Sequence, residues 1–429
     1  MKLLMGAAVA ALLAGLAGQA SADVVISNAR IIVGDGKVIE HGTVTIQGER
    51  IVSVAADAAP APTPGRRAPK VVVPAGQTRI DGTGLTVMAG FIDAHRHLVG
   101  GPAAQFFNGP AQARMKELLE AGFTTVQEGG GDNALSLELK KRVASGEIKG
   151  PRILASSRWN ISDMKTEAEV RAAVRAAKDS GADSIAEVHY PAKEPPNPPT
   201  FVETRNFLAA LDESRKVGIP MQIHAVSPAS TVEVAVMGGK MLIHTPHFDW
   251  LKESEADVIR DAGAQVASCT GFGPPVFDVF NKDNKPTFRD GKPWPQGIVS
   301  NEGQGREGGL LPINGRMLFD HGVNYAYCTD TTYNATESLN QELKTLNLAF
   351  SIPDIIKIMG PNSARFLGRE KDLGTVEAGK LADLVVLGGN PLVGFWNFMT
   401  AEVVIKGGEI VLDKRGSPNA GKPMDKPQS

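Results

Sequence analysis

The sequence is poor in cysteine, in aromatic residues and in net charge. Only two cysteines, Cys269 and Cys328, occur in 429 residues. That excludes a disulfide-built scaffold, and neither cysteine sits in a C-x-x-C pair. Lys and Arg number 45 against 47 Asp and Glu, a formal charge of -2. Such a balance lacks the basic excess by which a nucleic-acid binder neutralises phosphates. Aromatic residues make up only 6%, while 47 Gly and 28 Pro mark a chain rich in turns. With 42% apolar residues the chain is no wholly disordered one.

Long hydrophobic runs are scarce as well. One follows Lys2, from Leu3 to about Leu16, and leads to Ala20-Ser21-Ala22 before Asp23. Small residues at Ala20 and Ala22 suit signal-peptidase cleavage after Ala22. The run is short for the ~20 residues that span a bilayer. The expectation is a signal peptide over residues 1–22 and a mature chain that is secreted or periplasmic, with no membrane span. Cys269 and Cys328 fall at apparent strand ends that are not expected to meet, so both are expected as buried free thiols.

Residues 24–54 alternate apolar and polar positions around Gly/Asp turns, as short strands do. Residues 56–70 are Ala/Pro-rich and read as a surface linker, followed by strand-like 71–73 and 83–88. Residues 382–387 and 403–412 return to the same style. Neither end alone makes a core, so one small β-sandwich is expected from 23–86 and 371–415, with a frayed tail at 416–429. Between the ends, apolar strands alternate with helical stretches such as 112–120, 167–179 and 207–217. The strands are expected at 90–94, 124–127, 152–155, 184–188, 220–224, 240–244, 265–269 and 324–328. That rhythm predicts an α/β fold, a TIM (β/α)8 barrel over 87–370, with its chemistry at the C-terminal ends of the strands. Two long excursions, 191–200 and 270–317, follow strand ends and are expected as loops over that face.

Eight histidines are present. His41 and His321 fall away from strand ends and read as structural or surface groups. His95 and His97 follow the first barrel strand, and at spacing i, i+2 both imidazoles face one way while Arg96 faces the other. His224 ends the fifth strand, His244 the sixth, and Asp330 follows the eighth. Four imidazoles and a carboxylate converging on one rim describe a Zn-type site with an open position. Asp330, beside such an ion, can take the proton of an attacking water and deliver it to the leaving group.

Several stretches together resemble the amidohydrolase superfamily, in particular its imidazolonepropionase-like and prolidase-like members. They are Val87-Met88-Ala89-Gly90-Phe91-Ile92-Asp93-Ala94-His95-Arg96-His97, Gly122-Phe123-Thr124-Thr125-Val126, His224, His244 and Thr329-Asp330. The tail adds Gly360-Pro361-Asn362-Ser363-Ala364-Arg365-Phe366-Leu367-Gly368 and Gly374-Thr375-Val376-Glu377-Ala378-Gly379-Lys380-Leu381-Ala382-Asp383-Leu384. The resemblance implies a metal-dependent hydrolase. His95, His97, His224 and His244 would be ligands, and Asp330 ligand and proton shuttle. One or two ions are implied, zinc foremost, with other divalent transition metals open.

One departure stands out. Two-metal members place a carboxylated lysine at the end of strand four, where this chain has Ala186 in Ser184-Ile185-Ala186-Glu187-Val188-His189. On a regular strand Glu187 faces away from the Ala186 side. A bulge or slipped register would swing it inward. Both a Glu187-bridged pair of ions and a single-ion site therefore stay open, and Glu187 and His189 are also readable as substrate contacts. Tyr190, His247 and Glu128 lie near the rim, either lining the pocket or anchoring loops.

The expected reaction is cleavage of a C–N amide bond in a small, partly apolar molecule, such as an N-acyl amino acid, a dipeptide or a xenobiotic amide. Phe272 and Phe277 in the second excursion supply apolar contacts. Arg96, Arg158 and Arg316 are the candidates for a substrate carboxylate. Asp330 would protonate the leaving amine, and His244 would help hold the tetrahedral intermediate. A lactonase or other C–O hydrolase uses the same site and remains an alternative. So does a catalytically dead barrel acting as an exported binding protein. A deaminase reading lacks its H-x-x-E signature, since Ala225-Val226-Ser227 follows His224. The expected partner is the small-molecule substrate, with no nucleic acid, and nothing in the sequence excludes a homo-oligomer.

Overall fold

A computed structural model of the chain describes residues 23–57, 77–191, 198–271, 303–332 and 334–417. The signal segment and its cleavage point, most of the Ala/Pro-rich linker, strand 71–73, Phe272, Phe277 and nearly all of the tail lie outside the described residues.

Five strands open the chain: β1 (Val24–Ile32), β2 (Val38–Gln47), β3 (Arg50–Ala56), β4 (Thr78–Asp81) and β5 (Thr86–Ala89). The barrel strands follow as β6 (Phe91–Arg96), β7 (Phe123–Glu128), β8 (Arg152–Leu154), β9 (Ser156–Ser157), β10 (Ser184–His189), β11 (Met221–His224), β12 (Met241–Ile243), β13 (Gln265–Ala267) and β14 (Asn324–Ala326). Three more close the chain: β15 (Leu384–Leu387), β16 (Ala401–Lys406) and β17 (Glu409–Asp413).

The two chain ends form one sheet, in the order β17-β16-β15-β5-β1-β2-β3, with β4 also paired to β1. The join is antiparallel, with Leu384 opposite Ala89 and Val386 opposite Val87. Alternation explains the burial. Ile26, Val44, Ile46, Val87, Leu384, Val386, Val403 and Ile405 point into one apolar cluster, as period-two patterning requires. Neither terminal set would bury this face alone. The tight β16–β17 turn uses Gly407 and Gly408 at φ +55° and +80°, a left-handed pair that favours glycine.

The barrel strands pair in parallel. β6, β7 and β8 form one run, and β9 through β14 another. β8 and β9 are two pieces of one strand, so the runs are contiguous. Hydrogen bonding from Ala94 N to Tyr327 O at 3.0 Å closes β14 onto β6. Local sequence starts the outer helices. Thr166 and Glu169 form a capping box before helix Glu167–Asp179, whose Val170, Val174 and Ala177 make the inward stripe. Thr200 with Glu203 does the same for helix Phe201–Val217.

Two expectations fail here. The stretch 270–317 is not a loop throughout, because Gly303–Asp320 is a helix. Glycines and Pro312 hide it in the sequence, but Leu310, Leu311 and Leu318 are buried, and tertiary packing overrides weak helix propensity. The cysteines are not free thiols either. β13 and β14 are neighbours, which brings Cys269 and Cys328 to a Cα separation of 4.7 Å in a disulfide. Consecutive strands of a barrel are adjacent however long the connection between them.

Among the described residues no helix is long and apolar enough to cross a membrane.

Candidate metal centre and active site

The site lies where β6, β10, β11, β12 and β14 end. His95 and His97 leave β6 on one side, their ring centroids 5.4 Å apart. Gln222 on β11 fixes the first of them: its Oε1 lies 2.9 Å from His95 Nδ1, and its Nε2 donates to Ala94 O at 3.1 Å. A proton on Nδ1 then leaves His95 Nε2 toward the cavity, the usual way in which an outer hydrogen bond orients a metal-binding imidazole. Asp330 arrives from β14 with φ +53°, its backbone N bonded to His95 O at 2.9 Å. Its Oδ1 lies 3.2 Å from His95 Nε2 and 3.0 Å from His97 Nε2. Its Oδ2 is 3.9 Å from His244 Nε2.

Glu187 enters through an irregularity. The β10–β11 pairing shifts register between Ile185 and Val188, and the extra residue turns the Glu187 side chain into the site. Its Oε2 lies 3.9 Å from His97 Nε2 and 3.4 Å from an Arg158 guanidinium nitrogen. Its Oε1 lies 3.6 Å from His224 Nδ1 and 3.8 Å from His189 Nε2. The His189 and His224 rings stack at 4.1 Å.

Electrostatics follow from this crowding. Burial pushes His95 toward neutrality, yet the Asp330 carboxylate beside it wins and lifts it to about 9. Burial likewise raises Glu187, but His224 and the charge of His95 outweigh it and hold the carboxyl down at about 2. Asp330 is kept well below the ordinary carboxylate range, the surrounding histidines overcoming its burial. Burial and the neighbouring His224 keep His244 neutral.

These groups suit a divalent ion. The ligand atoms of His95, His97, Glu187 and Asp330 all lie within 4.8 Å of one another. Buried His95 Nε2 and Asp330 Oδ1 lack a hydrogen bond of good geometry, and the mixed N/O donor set is one that zinc and its neighbours accept.

Other candidates lie elsewhere. Arg96 is not a substrate contact: it is buried on the far side of β6, bonding Thr329 Oγ1 at 3.1 Å and Ser338 Oγ at 2.8 Å. Its i+1 position sends it into the barrel wall, where with Asp93 it holds the turn carrying Asp330; Asp93 accepts from Thr329 Oγ1 at 2.7 Å. Tyr190 is not a substrate contact either. Its hydroxyl meets Thr204 and Glu233, each at 3.0 Å, and its ring stacks on Phe207 at 4.4 Å, so it packs between outer helices. Arg316 pairs with Asp320 and Asp354. Glu128 anchors loops, accepting from Leu98 N at 2.8 Å and Gly131 N at 2.9 Å. His247 sits over Thr245 O at 2.9 Å. Sequence reading missed the supporting roles of Gln222 and Asp93. Asp93 adjoins the His-x-His run, which is a usable signal; Gln222 carries none, since its contact spans distant strands.

A cavity of about 640 Å³ is lined by Pro191, Pro198, Pro228, Phe248, Trp250 and Lys252, from the segments that follow β10, β11 and β12, and by none of the candidate metal ligands.

The family model described as Amidohydrolase family matches residues 86–411. The chain belongs to that family. This amidohydrolase is 24% identical over 431 residues to an imidazolonepropionase of Shouchella clausii (strain KSM-K16), covering 88% of this chain and 86% of the relative. Among solved structures it is similar to a Xaa-Pro dipeptidase with bound methionine, at TM-score 0.71 and 20% identity over 90% of this chain and 99% of that one. It is likewise similar to the ochratoxinase of A. niger, at TM-score 0.70 and 17% identity over 94% and 99%. The likenesses to the solved structures establish the barrel with its composite β domain. Membership makes the amidohydrolase a metal-dependent hydrolase.

Proposed function

We propose that this amidohydrolase cleaves the amide C–N bond of a small, partly apolar molecule, such as an N-acyl amino acid or a dipeptide, and that zinc is its first-choice ion. The observation that carries the reading is Asp330. Its Oδ1 is turned to His95 and His97 at 3.2 and 3.0 Å, which leaves Oδ2 toward the cavity and His244. A divalent ion bound by His95, His97, Glu187 and Asp330 would polarise the scissile carbonyl and acidify water. Asp330 Oδ2 then accepts the proton of the attacking water and returns it to the leaving nitrogen. His244, neutral and with its proton on Nε2, donates a hydrogen bond to the developing oxyanion. Phe248, Trp250 and Pro191 offer an apolar wall to one side of the substrate. An Xaa-Pro dipeptidase among the structural neighbours is consistent with the amide reading. Export to an oxidising compartment is part of the same proposal, and the Cys269–Cys328 disulfide supports it.

The test is kcat/KM for N-acyl amino acids, dipeptides and a lactone, with metal content measured in parallel. Amides are expected to be preferred, and Asp330→Asn is expected to lower kcat by about a thousandfold. Undiminished turnover by Asp330→Asn sinks the mechanism. A lactone turned over faster than every amide shifts the reading to C–O hydrolysis.

A further inference from the structure

We infer that Arg158 selects the substrate, by pairing with a free carboxylate next to the amide that is cleaved. This deepens the amide-hydrolase reading and rests on it. The substrates are then N-acyl amino acids or dipeptides with an unblocked α-carboxylate, rather than blocked amides.

Three arginines were open for a carboxylate from the sequence. Arg96 is enclosed in the barrel wall, and Arg316 is paired with Asp320 and Asp354. Arg158 stands at the rim directly after β9, with its side chain 38% exposed. Its guanidinium lies 3.4 Å from Oε2 of Glu187, a member of the His95–His97–Glu187–Asp330 cluster. No other Lys or Arg among the described residues comes within ion-pair distance of Glu187 or Asp330.

The neighbouring loop holds the arginine in this place. Asn133, the first residue of helix Asn133–Ala144, clamps the Arg158 backbone on both sides. Its Oδ1 accepts from Arg158 N at 2.7 Å, and its Nδ2 donates to Arg158 O at 3.3 Å. Gly130 O accepts from Arg158 Nη1 at 3.1 Å. A Cβ at Gly130, whose φ is +116°, would stand 3.2 Å from Arg158 Cδ, so the missing side chain leaves room for the arginine to lie along the rim. A guanidinium carries more N–H donors than these contacts use. The 3.4 Å approach to Glu187 is longer than the ~2.7–2.9 Å of a good charge-assisted bond. Donors therefore remain for an incoming anion, and the planar fork matches a carboxylate.

Arg158 also lines an open cavity of about 560 Å³, with Gly131, Asn133, Trp159, Asn160 and Met164. The acids on that cavity are engaged: Asp132 accepts from Leu135 N at 2.9 Å, and Asp163 from Asn160 Nδ2 at 3.2 Å. Arg158 thus joins a cavity to the metal cluster. A carboxylate held there belongs to a molecule that extends into the cavity and has its reacting bond close to Glu187. An α-carboxylate, one carbon away from the amide nitrogen, suits that short span.

Two measurements on the full-length, metal-loaded protein test the inference. Turnover of N-benzoyl-phenylalanine and of its primary carboxamide is followed by release of benzoate. Equilibrium binding is measured with N-benzenesulfonyl-phenylalanine and its carboxamide, whose sulfonamide replaces the scissile amide. The wild type is expected to favour the free acid about a hundredfold in both assays. Arg158→Gln is expected to erase most of that preference, with its loss on the acid falling on KM rather than kcat and with bound metal retained. Arg158→Lys keeps the charge without the fork and is expected to recover part of the preference. A wild type indifferent to the carboxylate overturns the inference, whether or not any variant folds. So does an Arg158→Gln protein that loses its metal or loses kcat equally on acid and carboxamide, because Arg158 would then act only by positioning Glu187. If no amide is cleaved while the wild type still prefers the free-acid probe and Arg158→Gln does not, the amide reading falls and the carboxylate anchor stands. Amides cleaved without preference for the acid give the reverse.

Discussion

The composite sheet and the barrel rim handle backbone strain and charge in opposite ways. In the sheet the non-glycine residue with left-handed backbone is Asn28, at φ +60° in a bulge of β1. It is exposed, and its amides are satisfied by Asp57 and Asp81 at 3.2 Å each. The core beneath it is an apolar cluster that includes Ile26, Val44, Ile46 and Leu384. At the rim three such residues, His244 at φ +73°, Cys269 at +43° and Asp330 at +53°, are clustered at consecutive strand ends. His244 and Asp330 also bring ionisable groups into the interior. Left-handed backbone in non-glycine residues costs of order 1–3 kcal/mol each and persists where the surroundings over-determine it. The sheet therefore contributes stability and the rim consumes some of it to hold reactive groups at fixed angles. Asp93, Arg96 and Gln222 are what over-determine the rim.

Changes at the two places should separate accordingly. The largest stability effect is expected from the disulfide between β13 and β14. Replacing both Cys269 and Cys328 with Ser opens a loop of 59 residues, which corresponds to about 4 kcal/mol by chain entropy. Because Cys328 lies two residues before Asp330, kcat should fall together with the unfolding midpoint. Stability loss with an unchanged kcat would show that the rim keeps its geometry without the crosslink.

Glu342 comes next. It lies beneath the same rim, its carboxylate accepting from Ser268 Oγ at 2.5 Å and from Thr270 N at 3.1 Å. Burial outweighs these donors and raises it from 4.5 to about 7. A raised folded value means that its contribution is complete below the unfolded value, 4.5, and is lost as pH rises through about 7. Between those limits wild-type stability is expected to fall by about 3 kcal/mol relative to Glu342→Gln. Parallel denaturation curves at pH 4.5, 6 and 8 check this, and a constant difference between the two proteins would refute it.

The smallest effect belongs to the sheet. Ile405→Val removes one methylene from the composite core, where Ile405 is fully buried, and is expected to cost about 1 kcal/mol. Denaturant midpoints should shift while kcat/KM stays within error. A fall in kcat/KM would mean that the sheet and the rim are mechanically coupled, and would break the comparison.

How far the sequence reached depends on the range of the interaction. The alternation of Val24–Ile32, the apolar run of Leu384–Leu387 and the caps of Glu167–Asp179 are encoded within a few residues, so those elements were legible. The helix Gly303–Asp320 was not, because its glycines and Pro312 carry weak local preference and its buried leucines act only through packing. Arg96 and Tyr190 were misread for a related reason. Nearness to the rim in sequence says nothing about which wall a side chain enters.

The sequence by itself determined the (β/α)8 rhythm, the meeting of the two chain ends, and the strand ends that carry His95, His97, His224, His244 and Asp330. Period-two and period-3.6 patterning and i, i+2 spacing are local, so they can be read along the chain. Tertiary structure alone decided the inward turn of Glu187, the stacking of His189 on His224, the seat of Gln222 behind His95 and the Cys269–Cys328 bond. Each depends on the register between strands distant in sequence, and a shift of one residue in that register sends a side chain to the opposite face.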